Sequence, residues 1–244
     1  MTQNKYDNEE FFEEYIKLRE EKDNANVIEE APALFSLIDN DLSEKTILDL
    51  GCGFGQNTKL LIDRGASRVV GVDVSQKMLD LAFKINNSDK VRYLCLDMND
   101  INRINGKFDL VISSLAIHYV KDFKILITNI YNLLNEGGEF VFSQEHPITL
   151  APLNGKSWDY NEDGIPTAFN LSNYQEPGER NIFWLTNNVI KYHRTISEII
   201  NTLIDCGFTI EKVLEPKPIR DYEDNNRNIE CKHKPHFLMI KCKK

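Results

Sequence analysis

No run in the 244 residues stays apolar over the ~18–20 positions that a bilayer-spanning helix needs. The polar opening, residues 1–8, lacks the basic start and apolar centre of a secretory leader. Both absences point to a cytoplasmic protein with no membrane partner. Positive charge is also short: 29 Lys and Arg stand against 38 Asp and Glu, a formal net charge of −9. A surface of that sign repels phosphate backbones, which weighs against nucleic acid as a partner. Cysteine is sparse and odd in number. The five, Cys52, Cys95, Cys206, Cys231 and Cys242, are scattered and sit mostly in apolar runs. That pattern argues against a disulfide framework and suits reduced thiols. Nothing supplies a second half to Cys231-x-His233-x-x-His236, so that charged segment is expected to hold no metal. Internal repeats and low-complexity tracts are absent as well. With 41% hydrophobic and 27% charged residues, the length suits one globular domain with a sizeable core.

What the chain does have is an alternation of strand-like and helix-like segments from Thr46 onward, which implies a parallel sheet with helices on both faces. Residues 46–50 form a short apolar run of the kind buried on both sides. Gly51-x-Gly53-x-Gly55 follows, then a helix at about 56–64 stopped by Gly65. Glycines permit a tight turn and a close approach of backbone to ligand. The start of the next helix offers free N–H groups and a positive dipole end to an anion. Strand-like residues 68–72 end in Asp73, 22 residues after Gly51, about where an acidic residue takes a ribose in dinucleotide folds. Strand-like 91–96 ends in Asp97-Met98, and strand-like 108–112 ends in Ser113-Ser114.

As a set, these features resemble the class I S-adenosylmethionine (SAM) dependent methyltransferases. That family's glycine turn reads Asp/Glu-x-Gly-x-Gly-x-Gly, as residues 49–55 do here, and the resemblance covers residues 46–142. It implies an α/β Rossmann-like three-layer sandwich, with a mostly parallel seven-stranded sheet whose last strand is antiparallel. It also implies SAM as cofactor and S-adenosylhomocysteine as product. Asp73 would then accept from the ribose hydroxyls, and Asp97 from the adenine amino group, with Met98 adding a backbone contact. Val74 and Met78 would wall the adenine. The turn of Gly51, Cys52, Gly53 and Gly55 would admit the methionine tail, and the Ser113 backbone would meet its ammonium end. The family often folds an N-terminal helical extension over this cleft. Phe11, Phe12, Tyr15 and Ile16 recur at helical spacing, and Tyr15 and Arg19, one turn apart, are placed to face it.

The expected organisation is one methyltransferase domain: an N-terminal extension (1–45), a SAM-binding core (46–146), a cap (147–194) and the rest of the core (195–244). A second helix is expected at 32–38 in the extension. Ser75 can cap a helix with Met78, Leu79, Ala82 and Ile85 on its apolar face. A helix at 122–135 precedes a fifth strand at 139–144. Residues 147–188 then break the rhythm with four prolines and many aromatics, and such a length suggests a functional lid. A hairpin of 182–185 with 189–192 is expected within it. Trp158, Tyr160, Phe169, Tyr174, Phe183 and Trp184 are expected to wall an apolar pocket. Thr195-Ile196-Ser197-Glu198 is a capping box for a helix with Ile196, Ile199, Ile200 and Leu203 on its buried stripe. The last strands, 208–214 and 237–241, flank a charged loop with no helix expected, so they should pair antiparallel.

Methyl transfer is an in-line attack on an activated methyl group, so positioning alone supplies much of the acceleration, with effective molarities on the order of 10⁵ M or more. A base helps if the acceptor is a hydroxyl or an acidic carbon. His118 and His146 are the candidates, the latter beside Glu145, and His193 is a third. Ser113-Ser114-Leu115-Ala116 stands where enzymes of this fold that methylate base amines carry an Asn/Asp-Pro-Pro-aromatic run. The Pro-Cys pair of cytosine C5 enzymes is missing too. A small-molecule acceptor is therefore expected, modified at O, N or C. Glu145-His146-Pro147 and His193-Arg194-Thr195 look similar to bacterial members whose substrates are unassigned. Two rival readings are a SAM-binding sensor that transfers nothing and an NAD-dependent oxidoreductase on the same fold.

Overall fold

The computed structural model describes residues 3–153 and 157–244. α1 (Glu9–Glu20) starts at Asn8, whose side chain accepts the Phe11 N–H. A single π-turn, Asn26–Glu30, leads into α2 (Ala31–Ser36). Strand and helix then alternate through β1 (Thr46–Leu50), α3 (Gln56–Asp63), β2 (Arg68–Asp73), α4 (Gln76–Ile85), β3 (Val91–Cys95), β4 (Phe108–Ser113), α5 (Phe123–Leu133) and β5 (Leu134–Glu145). An insertion follows with α6 (Pro147–Leu150) and two hairpins, β6 (Trp158–Tyr160) with β7 (Pro166–Phe169) and β8 (Gly178–Trp184) with β9 (Thr186–His193). The chain closes with α7 (Ile196–Asp205), β10 (Thr209–Leu214), α8 (Asn225–His233) and β11 (Phe237–Lys243).

The main sheet has seven strands in the order β10-β11-β5-β4-β1-β2-β3. Neighbours from β5 to β3 pair parallel, while β11 runs antiparallel to both β5 and β10. Strand side chains alternate between faces, and the two cores follow that alternation. Leu48, Leu50, Val70 and Val72 share one cluster with α5 and α7. Ile47, Val69, Leu110 and Ile112 share another with Leu34 and Phe35 of α2 and Leu61 of α3. Helices therefore cover both faces, which is the three-layer Rossmann-like arrangement expected.

Several boundaries differ from the sequence expectations. α8 occupies the loop where no helix was expected. Its residues, Asn-Asn-Arg-Asn-Ile-Glu-Cys-Lys-His, bury none of their number, so they carry no apolar period; Asp224 caps the helix instead by accepting the Asn226 N–H. β5 begins at Leu134 rather than 139, directly after α5. The β8–β9 hairpin is longer than expected and turns at Leu185, which takes a φ of +60°. Ile85, expected on the apolar face of α4, is 45% exposed at the helix end. Two hairpins occupy the segment where the rhythm was expected to break, of which residues 154–156 lie outside the described residues. Among the described residues no helix is long and apolar enough to cross a membrane.

Candidate active site

The strand order reverses at β1, which has β4 on one side and β2 on the other. Open α/β sheets bind ligands beyond the carboxyl ends of their strands at such a point. The chain leaves β1 through Gly51, Gly53 and Gly55, with φ of +71°, +52° and +81°. The N–H groups of Gly51 and Cys52 both donate to the Val72 carbonyl, at 2.8 and 3.0 Å, which straps the turn to β2. A Cβ on Gly51 would lie 2.3 Å from the Ala116 Cβ, whereas one on Gly53 would meet nothing within 4 Å. Gly51 is thus fixed by packing, and Gly53 presents bare backbone to a cavity.

Asp73 ends β2 beside this turn. Its Oδ2 accepts the Gly53 N–H and its Oδ1 the Ser75 N–H, both at 2.9 Å. Burial pushes its pKa up against these donors. The Val74 N–H adds to these two donors, and an ionised carboxylate has about four lone-pair sites, so it keeps room for a further donor. Asp97 caps the 3₁₀ turn Met98–Arg103 by accepting the Asn99 N–H at 2.9 Å. Val74, Met78, Asp97 and Met98 all line the same cavity. Below the floor, fully buried Asp49 accepts the Thr58 hydroxyl at 2.7 Å on Oδ2, while its Oδ1 has no partner among the described residues. Burial raises its pKa to about 7, with the Thr58 bond opposing and the Asp73 charge adding.

The N-terminal residues roof the cavity. The Asn4 side chain donates to the Val74 carbonyl at 3.2 Å. Asp7 Oδ1 accepts the Ser75 hydroxyl at 2.6 Å and the Lys77 N–H at 3.2 Å, pinning the strap at the start of α4. On the other side Gln3 donates to the Asn188 carbonyl at 2.7 Å and accepts the Ile190 N–H at 2.8 Å, so strap and β8–β9 hairpin are joined. Edge-to-face aromatic contacts fill the space between them. Tyr6 meets Phe11 at 5.0 Å and Tyr15 at 5.1 Å, and Trp184 meets Phe11 at 5.6 Å and Tyr15 at 6.1 Å. Arg19 donates to the Gln56 side chain and lies 5.9 Å over the Phe54 ring. The cavity below holds about 350 Å³ and runs from the glycine turn to His118, Tyr119 and Glu145.

A buried charged group sits beside that far end. On β9, Val189, Lys191 and His193 alternate inward and are all buried. Lys191 Nζ lies 2.5 Å from Glu145 Oε1, 4.6 Å over the Trp184 ring and 5.5 Å over Tyr119. Burial pulls the Lys191 pKa down, but Glu145 and Tyr119 outweigh it and hold the ammonium above its ordinary value. Burial likewise pushes Glu145 up, yet Lys191 and His118 bring it below the usual range, so both partners are ionised. Burial depresses His118 to about 3, the cations Lys191 and Arg194 deepen the shift and Glu145 opposes it. The ring is neutral at neutral pH. Its Nδ1 accepts the Glu145 N–H over a long 3.5 Å, which leaves Nε2 carrying the proton.

The cavity gathers Tyr15, Arg19, Gly51, Cys52, Gly53, Asp73, Val74, Met78, Asp97, Met98 and His118 from the sequence candidates. Ser113 lies behind it, buried, with its hydroxyl donating to the Leu50 carbonyl at 2.9 Å; the next residues, Ser114 to Ala116, form the wall. Gly55 faces the Tyr93 hydroxyl, 2.6 Å from where a Cβ would stand. His146 is buried outside the lining, with Nδ1 accepting the Ile148 N–H at 3.2 Å and Nε2 3.0 Å from Glu215. His193 donates from Nε2 to the Tyr174 carbonyl at 2.9 Å. The expectation of an aromatic wall from the insertion needs correction, because Trp184 alone of the six lines the cavity. Strand alternation turns Phe183 outward, 73% exposed, and Trp158 pairs with Phe169 at 5.1 Å in the other hairpin. The rest of the aromatic surface comes from outside the insertion, from Tyr6, Phe11, Tyr15, Phe54, Tyr119 and Phe237. Tyr6 and Lys191 were missed by the sequence reading; only the inward alternation of β9 could have singled out the lysine.

Residues 48–142 match the family described as "Methyltransferase domain". A SAM-dependent methyltransferase of Mesorhizobium loti has a similar structure, with a TM-score of 0.79 and 35% identity over 91% of this chain and 98% of that one. An uncharacterized protein of Haemophilus influenzae is 38% identical over 245 aligned positions, covering 98% of this chain and 96% of its own. A malonyl-[acyl-carrier protein] O-methyltransferase of Acetivibrio thermocellus is 32% identical over 126 residues, 51% of this chain and 44% of that one.

Proposed function

The chain belongs to the SAM-dependent methyltransferases, and from that premise we propose that it methylates a small molecule held beneath the joined strap and hairpin. One observation carries the acceptor reading: the cavity extends past the glycine turn to a neutral imidazole beside a buried ion pair, under an aromatic roof. Bare backbone at Gly53 and the remaining acceptor capacity of Asp73 suit the nucleoside and tail of the cofactor. In this reading Asp73 takes the ribose hydroxyls, Asp97 and Met98 the adenine, Val74 and Met78 its faces, and Gly51 to Gly53 the methionine tail. Tyr15 and Arg19 close the cleft from above. When bound, the cofactor supplies a methyl group already activated on a positively charged sulfur.

The chain's own work is then to exclude water and align the acceptor. Lys191 and Glu145 hold each other ionised, and their bridge fixes the floor on which His118 stands. A pKa near 3 makes His118 a feeble proton sink at neutral pH, so its role is to orient the acceptor through Nε2. His146 supports this floor from behind, through Glu215 and the start of α6. The A. thermocellus relative is an O-methyltransferase, and an oxygen that attacks as its anion suits a hydrogen-bond donor at the acceptor position, since no proton then has to leave with the transfer. Its likeness spans only half of this chain, so the polar group around His118 is the stronger guide.

The test offers the purified protein a metabolite extract together with SAM labelled in its methyl group. Label is expected in a small molecule and not in nucleic acid. His118→Asn should lower kcat while SAM affinity stays nearly intact, and the parent rate should show no inflection near the 6.5 of free imidazole. Tight SAM binding without any labelled product would favour the sensor reading.

A further inference from the structure

The N-terminal extension and the segment before β11 meet at a cluster that methyl transfer leaves unused. Glu29 sits on the π-turn Asn26–Glu30 and is 1% exposed. Among the described residues its ion-pair partner is His236, a group that is charged only when protonated. A buried carboxylate is costly unless paired, and the Lys234 ammonium reaches Glu29 only through space, its own hydrogen bond going to the Thr149 hydroxyl. Glu30, its neighbour, is spent differently, accepting the Ser114 hydroxyl at 2.8 Å and the Ser143 hydroxyl.

Three donor atoms converge here. Glu29 Oε1 lies 2.9 Å from His236 Nδ1 and 3.7 Å from Cys231 Sγ, and those two lie 3.9 Å apart. A triangle with these sides has its centre about 2.1 Å from each corner, and a slight displacement out of its plane reaches ~2.0–2.3 Å, the span of zinc bonds to O, N and S. The Tyr222 hydroxyl donates to the same carboxylate oxygen and stands at the edge of the group. His233 does not take part; it lies on α8 with its ring 5.9 Å from Trp158. The residue that completes the set is Glu29, 202 positions before Cys231 and invisible to any local motif.

We infer that Glu29, Cys231 and His236 form a binding site for a divalent cation that accepts thiolate, zinc above all, with a fourth position left to Tyr222 or water. Mixed S, N and O donors select such a metal over magnesium or calcium, which take oxygen shells. The ion would staple the extension to the chain before β11. Asn26 and Phe237 border these ligands and line the cavity, so the staple would hold one rim of the active site.

Full-length protein stripped with a chelator, reloaded with zinc and desalted should retain one equivalent by elemental analysis. Cobalt in its place should show a thiolate charge-transfer band, and zinc should raise the thermal midpoint. Cys231→Ser should abolish the band and weaken zinc at least tenfold. His233→Ala should keep both. Folded parent protein that retains no zinc, or a Cys231→Ser variant that binds as the parent does, would overturn the site. None of these readouts depends on SAM binding or methyl transfer, so the two proposals fail separately.

Discussion

The two ends of the cavity are built by opposite strategies. The donor end comes from consecutive strand ends between Gly51 and Ala116, held mainly by backbone: Gly51 and Cys52 on the Val72 carbonyl, Gly53 on Asp73. The acceptor end joins β5, β9, the 3₁₀ turn at His118 and the N-terminal strap, held by buried charge and aromatic faces. The first is a scaffold that any donor-binding relative can share. The second is assembled from distant segments, which is where relatives of one fold diverge in what they modify.

The largest expected effect breaks the acceptor end. Lys191→Met leaves Glu145, whose side chain is 21% exposed, without its ammonium, which should cost about 2–3 kcal/mol, and adding Glu145→Gln should recover much of it. Urea unfolding of the single and double variants measures this. A loss below about 1 kcal/mol in Lys191→Met would show that the bridge does not hold this end together.

At the donor end, Gly51 and Gly53 sharpen the contrast between packing and access. Both have positive φ, so alanine should cost about 1–2 kcal/mol at either. Gly51→Ala should cost more, since its methyl would stand 2.3 Å from Ala116, while the Gly53→Ala methyl meets no atom within 4 Å. Gly53→Ala should instead weaken S-adenosylhomocysteine in a folded protein. Equal stability of the two variants would undo the distinction.

The smallest effect is on pH. His118 titrates at about 3 in the fold against 6.5 in the free group, so between these values the unfolded chain binds the extra proton. Its share of stability is complete above 6.5 and fades as pH falls. Asp49 behaves oppositely: raised to about 7 from 3.8, it keeps a proton that the unfolded chain has lost, so stability falls as pH rises across that window. The two offset each other. Thermal midpoints of ligand-free protein should change little from about pH 4.5 to 6.5, climb with pH in Asp49→Asn and drop with pH in His118→Asn. Parallel profiles in all three would contradict the assigned shifts.

The same contrast governs what was legible in the sequence. The glycine turn, Asp73 and Asp97 could be expected at one cavity because strand ends and short-range turns place them; the alternation of elements implied a parallel sheet, while its antiparallel last strand came only with the family resemblance. Ser113, expected to meet the ammonium end of the cofactor, sits directly behind the wall that Ser114 begins as the chain leaves β4. Lys191 was hidden because its meaning depends on the register of a hairpin whose ends, 178–184 and 186–193, exceed the expected ones. Tyr6 acts from irregular chain, and Glu29 from a π-turn, where no periodicity marks a side chain's direction. α8 carries no apolar stripe at all.

The donor end is proposed to bind SAM through the glycine turn and Asp73, independently of the acceptor end. Calorimetric titration of S-adenosylhomocysteine into the parent, Asp73→Ala and His118→Asn tests it directly. Loss of hydrogen bonds to a charged group is worth about 1.5–3 kcal/mol, so Asp73→Ala should bind roughly 10- to 150-fold more weakly, while His118→Asn stays within about twofold. Parent-like affinity in Asp73→Ala, in a folded protein, would contradict the account.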